Sequence, residues 1–93
     1  MKIRAHIFVE GFVQRVGFRW WCLREAEKTG ITGWVRNLLD GRAEAVFEGS
    51  KDKLEEMLEK CREGSWAAKP THIDSIWEQP TGEFDSFKIL PSE

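Results

Sequence analysis

The sequence is first narrowed by what it does not contain. No stretch approaches the ~18 consecutive apolar residues of a membrane span. The start, Met1-Lys2-Ile3-Arg4-Ala5-His6, is polar at alternate positions and carries no signal-peptide apolar region. These absences predict a mature cytoplasmic protein with no membrane partner. A basic excess is also missing. The 14 Lys and Arg are scattered against 16 Asp and Glu, for a net charge of −2, whereas a nucleic-acid binder of this size usually shows a positive surplus. The two cysteines, Cys22 and Cys61, lack CxxC spacing and form no sequence cluster with His6 or His72, so they read as buried reduced thiols rather than metal ligands. There is no repeat, linker or low-complexity segment. With 93 residues the chain cannot build two independent cores, so residues 1–93 are expected to form one domain.

What is present has clear periodicity. From Lys2 to Glu10 the apolar Ile3, Ala5, Ile7 and Val9 alternate with Lys2, Arg4, His6 and Glu10, which predicts a strand with one buried face. Phe18 to Lys28 reads as a helix carrying Phe18, Cys22 and Ala26 on one side, closed at Gly30. Ile31–Leu38 and Ala43–Glu48 read as two strands joined at Asp40-Gly41. Gly49-Ser50 leads into a second helix whose stripe is Leu54, Met57, Leu58 and Cys61, ended by Gly64. A loop containing Trp66 and Pro70 follows, then strands at Ile73–Glu78 and Phe84–Leu90 separated by Pro80-Thr81-Gly82. The order β-α-β-β-α-β with a short addition predicts an α+β, ferredoxin-like fold. It has an antiparallel sheet with both helices on one face. That architecture hosts many functions and selects none.

The informative stretch lies between the first strand and the first helix, Gly11-Phe12-Val13-Gln14-Arg15-Val16-Gly17-Phe18-Arg19. A helix entry normally offers Ser, Thr, Asp or Asn to its free N–H groups, and none occurs from Gly11 to Phe18. Arg15 and Arg19 also stand where cations oppose the helix dipole. Unsatisfied donors, glycine flexibility and converging positive charge describe an anion site. The plainer account is a glycine-punctuated turn followed by a solvated arginine. A second constellation is Gly33-Trp34-Val35-Arg36-Asn37, followed by Asp40-Gly41. Asn37 can donate and accept hydrogen bonds and so hold a water in line with a bound electrophile, or it can simply open the turn.

Together the two segments, GFVQRVGFR and GWVRNLLDG, resemble the paired signatures of the acylphosphatase family, G-x-V-Q-G-V-x-F-R and G-[aromatic]-[V/A]-x-N-x(3)-G. The likeness continues through EAVFEG, the second helix and WEQPTGEFDSFKI. It implies hydrolysis of small acyl phosphates to carboxylate and inorganic phosphate. It further implies that Arg19 grips the phosphoryl oxygens and that backbone N–H groups of Gln14, Arg15, Val16, Gly17 and Phe18 complete the cradle. Asn37 would orient the attacking water. Phosphoryl transfer through a loose transition state is served mainly by positioning and charge, and a carboxylate leaves without a strong general acid. Neither motif contains Cys, His or paired carboxylates, so direct attack by water without a metal, cofactor or phosphoenzyme is expected, in a monomer. Asp40 and Glu44 are read as hairpin and surface residues.

Arg15 departs from the family glycine. A left-handed conformation there would cost on the order of 1–3 kcal/mol. Its side chain can fold over the cradle and compete for the anion, or point outward and add charge at the mouth. The first of these supports a rival reading, an acylphosphatase-like module that binds phosphate or carbamoyl phosphate with impaired turnover. An RNA-recognition domain shares the element order but needs aromatics on its central strands. Ala43-Glu44-Ala45-Val46-Phe47-Glu48 lacks that array and carries two acids.

Overall fold

The computed structural model describes every residue except Ser65 and Trp66, so the Trp66 part of the loop expected after the second helix lies outside the described residues. The elements run β1 (Lys2–Phe12), α1 (Phe18–Thr29), β2 (Thr32–Asn37), β3 (Ala43–Ser50), α2 (Lys51–Glu63), β4 (Lys69–Glu78) and β5 (Phe87–Ile89). The strands form one sheet in the order β4-β1-β3-β2-β5. This is the expected α+β, ferredoxin-like order, with three antiparallel pairings. The sheet is antiparallel except at its short last strand, where β5 runs parallel to β2, pairing Gly33 with Phe87 and Val35 with Ile89.

Several strands outrun their sequence patterns because partners extend them. β3 continues through Gly49 and Ser50, which pair with Ile3 and Lys2 rather than forming a loop before α2. β1 reaches Phe12 because β4 begins early, at Lys69, and meets it across a register shift at Glu10/Gly11. Pro70 therefore lies in a strand, and β4 tolerates it as an edge strand. Gly11 adopts φ +114, and a Cβ there would stand 2.6 Å from the Lys69 carbonyl oxygen.

The predicted faces are those observed. Ala5, Ile7 and Val9 of β1 and Val35 of β2 are fully buried beneath the helices. α1 contributes Phe18, Trp21, Cys22 and Ala26, and α2 contributes Leu54, Met57, Leu58 and Cys61. Cys22 and Cys61 are free and buried, as expected. Between the helices Lys60 Nζ meets Glu25 Oε1 at 3.1 Å. No helix among the described residues is long and apolar enough to cross a membrane.

The open face of the sheet is not bare. His6 packs on Phe8 with ring centroids 4.9 Å apart, Arg36 lies over Trp34, and Arg42 lies over Phe8. Glu44 corrects an expectation here, since it is buried rather than a surface residue. It accepts from Arg36 Nε at 2.8 Å and lies 2.6 Å from His6 Nε2. Burial pushes the Glu44 carboxyl up, but the hydrogen bonds from His6 and Arg36 and the Arg36 charge outweigh it and hold it below the ordinary range. Glu48, also buried, accepts from Thr81 N, Thr81 Oγ1 and Gly82 N. Burial raises its carboxyl too, and these donors with Arg4 reverse the sign. Both acids are thus committed to folding the sheet face.

Candidate active site

The segment between β1 and α1 is pinned at both ends. Val13 and Phe18 are each 1% exposed, and the four residues between them form the loop. Val13 N donates to Gly11 O at 3.0 Å, turning the chain away from β1. Two positive φ angles then bend the loop, +64° at Arg15 and +81° at Gly17. Left-handed residues in a short loop are one ingredient of the backbone nests that bind anions.

The helix entry is as bare as its sequence suggests. Gly17 is the N-cap of α1, with no side-chain cap and no acid in the first turn. The first bond along the helix is Trp21 N to Gly17 O, 2.9 Å. The N–H groups of the first turn are therefore left for a ligand. Arg19 sits in that turn, half-buried. Among the described residues neither Arg19 nor Arg15 forms an ion pair or hydrogen bond, whereas Arg4, Arg36, Arg42 and Arg62 all have carboxylate partners.

Arg15 is the only described residue other than glycine with a positive φ. It takes the backbone conformation that suits the family glycine, and its side chain is exposed rather than packed into the loop. The cost anticipated for a left-handed residue is therefore incurred.

Asn37 is the last residue of β2, on the same face as the buried Gly33 and Val35, and is itself 8% exposed. Its Oδ1 is buried without a hydrogen-bond partner among the described residues. The backbone carbonyl of Asn37 accepts from Glu93 N at 2.9 Å. The strand that carries it depends on Gly33, at φ +135, where a Cβ would fall 1.9 Å from the Val46 carbonyl oxygen. The leading glycine of the second motif is thus a requirement of strand pairing. The turn beyond Asn37 closes through Leu38 N to Arg42 O and Gly41 N to Leu38 O, with Asp40 accepting from Arg42 N, as its hairpin role predicts.

Loop and hairpin meet through Gln14. Its Nε2 donates to Leu38 O at 2.7 Å and to Arg42 O at 3.0 Å. Sequence reasoning used only the backbone N–H of Gln14 and missed this side-chain bridge. An invariant spacing cannot reveal it, because the two carbonyls lie 24 and 28 residues away.

Burial first, and the neighbouring Cys61 second, hold the Cys22 thiol well above its ordinary range, so it stays neutral. The grouping of possible metal ligands among the described residues is Glu10, His72 and Asp74, all exposed. It includes no residue of the loop and not Asn37.

Comparisons with known proteins identify the family. The family model described as acylphosphatase matches residues 5–89. The chain is 46% identical over 87 residues to an acylphosphatase of Roseiflexus sp. (strain RS-1), covering 94% of each. It is 44% identical over 89 residues to an acylphosphatase of Thermococcus kodakarensis, covering 96% of this chain and 97% of the relative. Among solved structures, an acylphosphatase from Bacillus subtilis superposes with a TM-score of 0.90 at 35% identity, covering 95% of this chain and 98% of that one.

Proposed function

The chain belongs to the acylphosphatase family and hydrolyses acyl phosphates, and from that premise we propose that the reaction runs between the loop 14–19 and Asn37. The phosphoryl group of the mixed anhydride sits in the loop, held by N–H groups of Gln14 to Phe18. Arg19 closes on its oxygens, since a planar guanidinium suits two of them at once and meets no competing carboxylate. Asn37 Oδ1 accepts a hydrogen bond from a water and aims its oxygen at phosphorus. As the water oxygen bonds to phosphorus, the bond from phosphorus to the carboxylate oxygen breaks. The leaving carboxylate keeps the electron pair, and the protons of the water end on inorganic phosphate and solvent.

The observation that carries this reading is the unpartnered, buried Asn37 Oδ1. Leaving a buried acceptor unmade costs roughly 1–3 kcal/mol, so its presence beside a loop of unused donors calls for a ligand-side partner. Two free, buried thiols fit the reducing cytoplasm. The left-handed, exposed Arg15 favours a working enzyme over a module of impaired turnover, because its φ of +64 is one that glycine also adopts and its side chain is not packed into the loop.

The test is a pair of substitutions assayed with benzoyl phosphate and with inorganic phosphate as inhibitor. Arg19→Ala should abolish phosphate inhibition, while Asn37→Ala should lower kcat by at least about 100-fold with the phosphate inhibition constant little changed. Normal turnover in Asn37→Ala would remove it from the mechanism.

A further inference from the structure

The loop that holds the phosphoryl group and the strand end that holds the water are separate pieces of chain. In-line attack requires that they keep a fixed separation, because a misplacement of about 1 Å can cost roughly 100-fold in rate. Backbone pairing does not supply that constraint. Among the described residues the backbone bonds of 13–17 run from Val13 N to Gly11 O and from Trp21 N to Gly17 O, and both stay on the β1–α1 side. The turn beyond Asn37 is closed on itself through Leu38 and Arg42.

Gln14 is the link. We propose that its side-chain amide is a positioning group for catalysis, fixing the distance between the phosphate cradle and the Asn37-held water. This rests on the reading of Asn37 given above. Three features argue for it. Both Nε2 protons are used, one on each carbonyl that brackets the Asp40-Gly41 turn, so the amide holds the turn at two points rather than one. The two acceptors each already take a bond inside the hairpin, Leu38 O from Gly41 N and Arg42 O from Leu38 N, so the side chain uses their second lone pairs. And Gln14 and Leu38 are the immediate neighbours of Arg15, which bends the cradle, and of Asn37. Among the described residues no other side chain hydrogen-bonds between 13–17 and 38–42.

The residue type follows from the chemistry. Two carbonyl acceptors require two donors on one short arm, which an amide offers and a carboxylate does not. A glutamate at this position would set its charge against two carbonyl oxygens and against the incoming phosphate. The amide is neutral, so it ties the loop down without drawing the anion away from Arg19.

The experiment is a double-mutant cycle on kcat for benzoyl phosphate with Gln14→Ala, Asn37→Ala and the double variant. Thermal unfolding and inorganic phosphate inhibition are followed in parallel. The expected result is a loss of about tenfold in kcat for Gln14→Ala in the parent enzyme and less than about twofold when Asn37 is already alanine. The phosphate inhibition constant should move less than about threefold, since Arg19 and the loop donors remain. Gln14→Glu, of the same length, should lose at least as much as Gln14→Ala. Losses that multiply across the cycle would overturn the proposal, for then Gln14 serves loop stability alone. A phosphate constant that weakens in step with kcat would overturn it as well. If Asn37→Ala itself turns over normally, the reading of Asn37 fails and the positioning role fails with it; multiplicative losses leave that reading standing.

Discussion

Replacing Arg15 separates two effects that its side chain combines. The backbone stands at φ +64, where an L-residue with a Cβ pays about 1–2 kcal/mol and glycine pays nothing. Glycine returns part of this, about 0.5–1 kcal/mol, as extra freedom in the unfolded chain. Arg15→Gly should therefore stabilise the fold by roughly 0.5–1 kcal/mol, a rise of about 2–8 °C in Tm for a domain of this size. Arg15→Ala keeps the strain and should leave Tm within about 2 °C of the parent. The charge behaves differently. At a separation on the order of 8 Å in water, one positive charge favours a phosphate dianion by about fivefold at low salt and about twofold at 0.15 M ionic strength. Both variants should weaken phosphate binding by these factors, with the difference shrinking as salt is added. Differential scanning calorimetry and phosphate inhibition at two ionic strengths read the two effects independently. A Tm gain as large in Arg15→Ala as in Arg15→Gly would refute the backbone argument. A salt-independent change in affinity would refute the electrostatic one.

Other outcomes follow from the packing and from the buried acids. Gly33→Ala should destabilise by about 3 kcal/mol or more, because its Cβ would meet the Val46 carbonyl at 1.9 Å in a conformation that alanine resists; urea unfolding checks this. Stability should fall in acid for a stated reason. Glu44 and Glu48 both titrate below their ordinary value of 4.5 in the folded protein, so the unfolded chain binds more protons as pH drops. Their contribution is complete above pH ~4.5 and is lost as pH falls through the folded pKa values, and Glu44→Gln should flatten that limb of the stability–pH curve. An unchanged acid limb in Glu44→Gln and Glu48→Gln alike would contradict the assignment.

The sequence was most legible where a single period governs. Alternation in Ile3-Ala5-Ile7-Val9 and the Leu54-Met57-Leu58-Cys61 stripe both name the buried faces that the structure shows. It was least legible where a partner strand decides an end. Gly49 and Ser50 look like a break by composition, yet they pair with Ile3 and Lys2. Glu44 looked like a surface residue because a strand pattern cannot report that Arg36 and His6 close over a carboxylate from the neighbouring strands. At the site the bare helix entry and its two arginines were readable from residue types alone, whereas the outward course of the exposed Arg15 side chain was left open by them. The bridge from Gln14 to Leu38 and Arg42 was not, since it exists only once β2 and β3 bring the hairpin back beside the loop.

The central claim is that residues 14–19 form a phosphate cradle, and a backbone amide NMR titration with inorganic phosphate tests it most directly. The account predicts saturable shifts concentrated at the amides of Gln14 to Arg19, with Asn37 responding, and their loss in Arg19→Ala. Saturable shifts centred elsewhere, or a titration unaltered by Arg19→Ala, would contradict it.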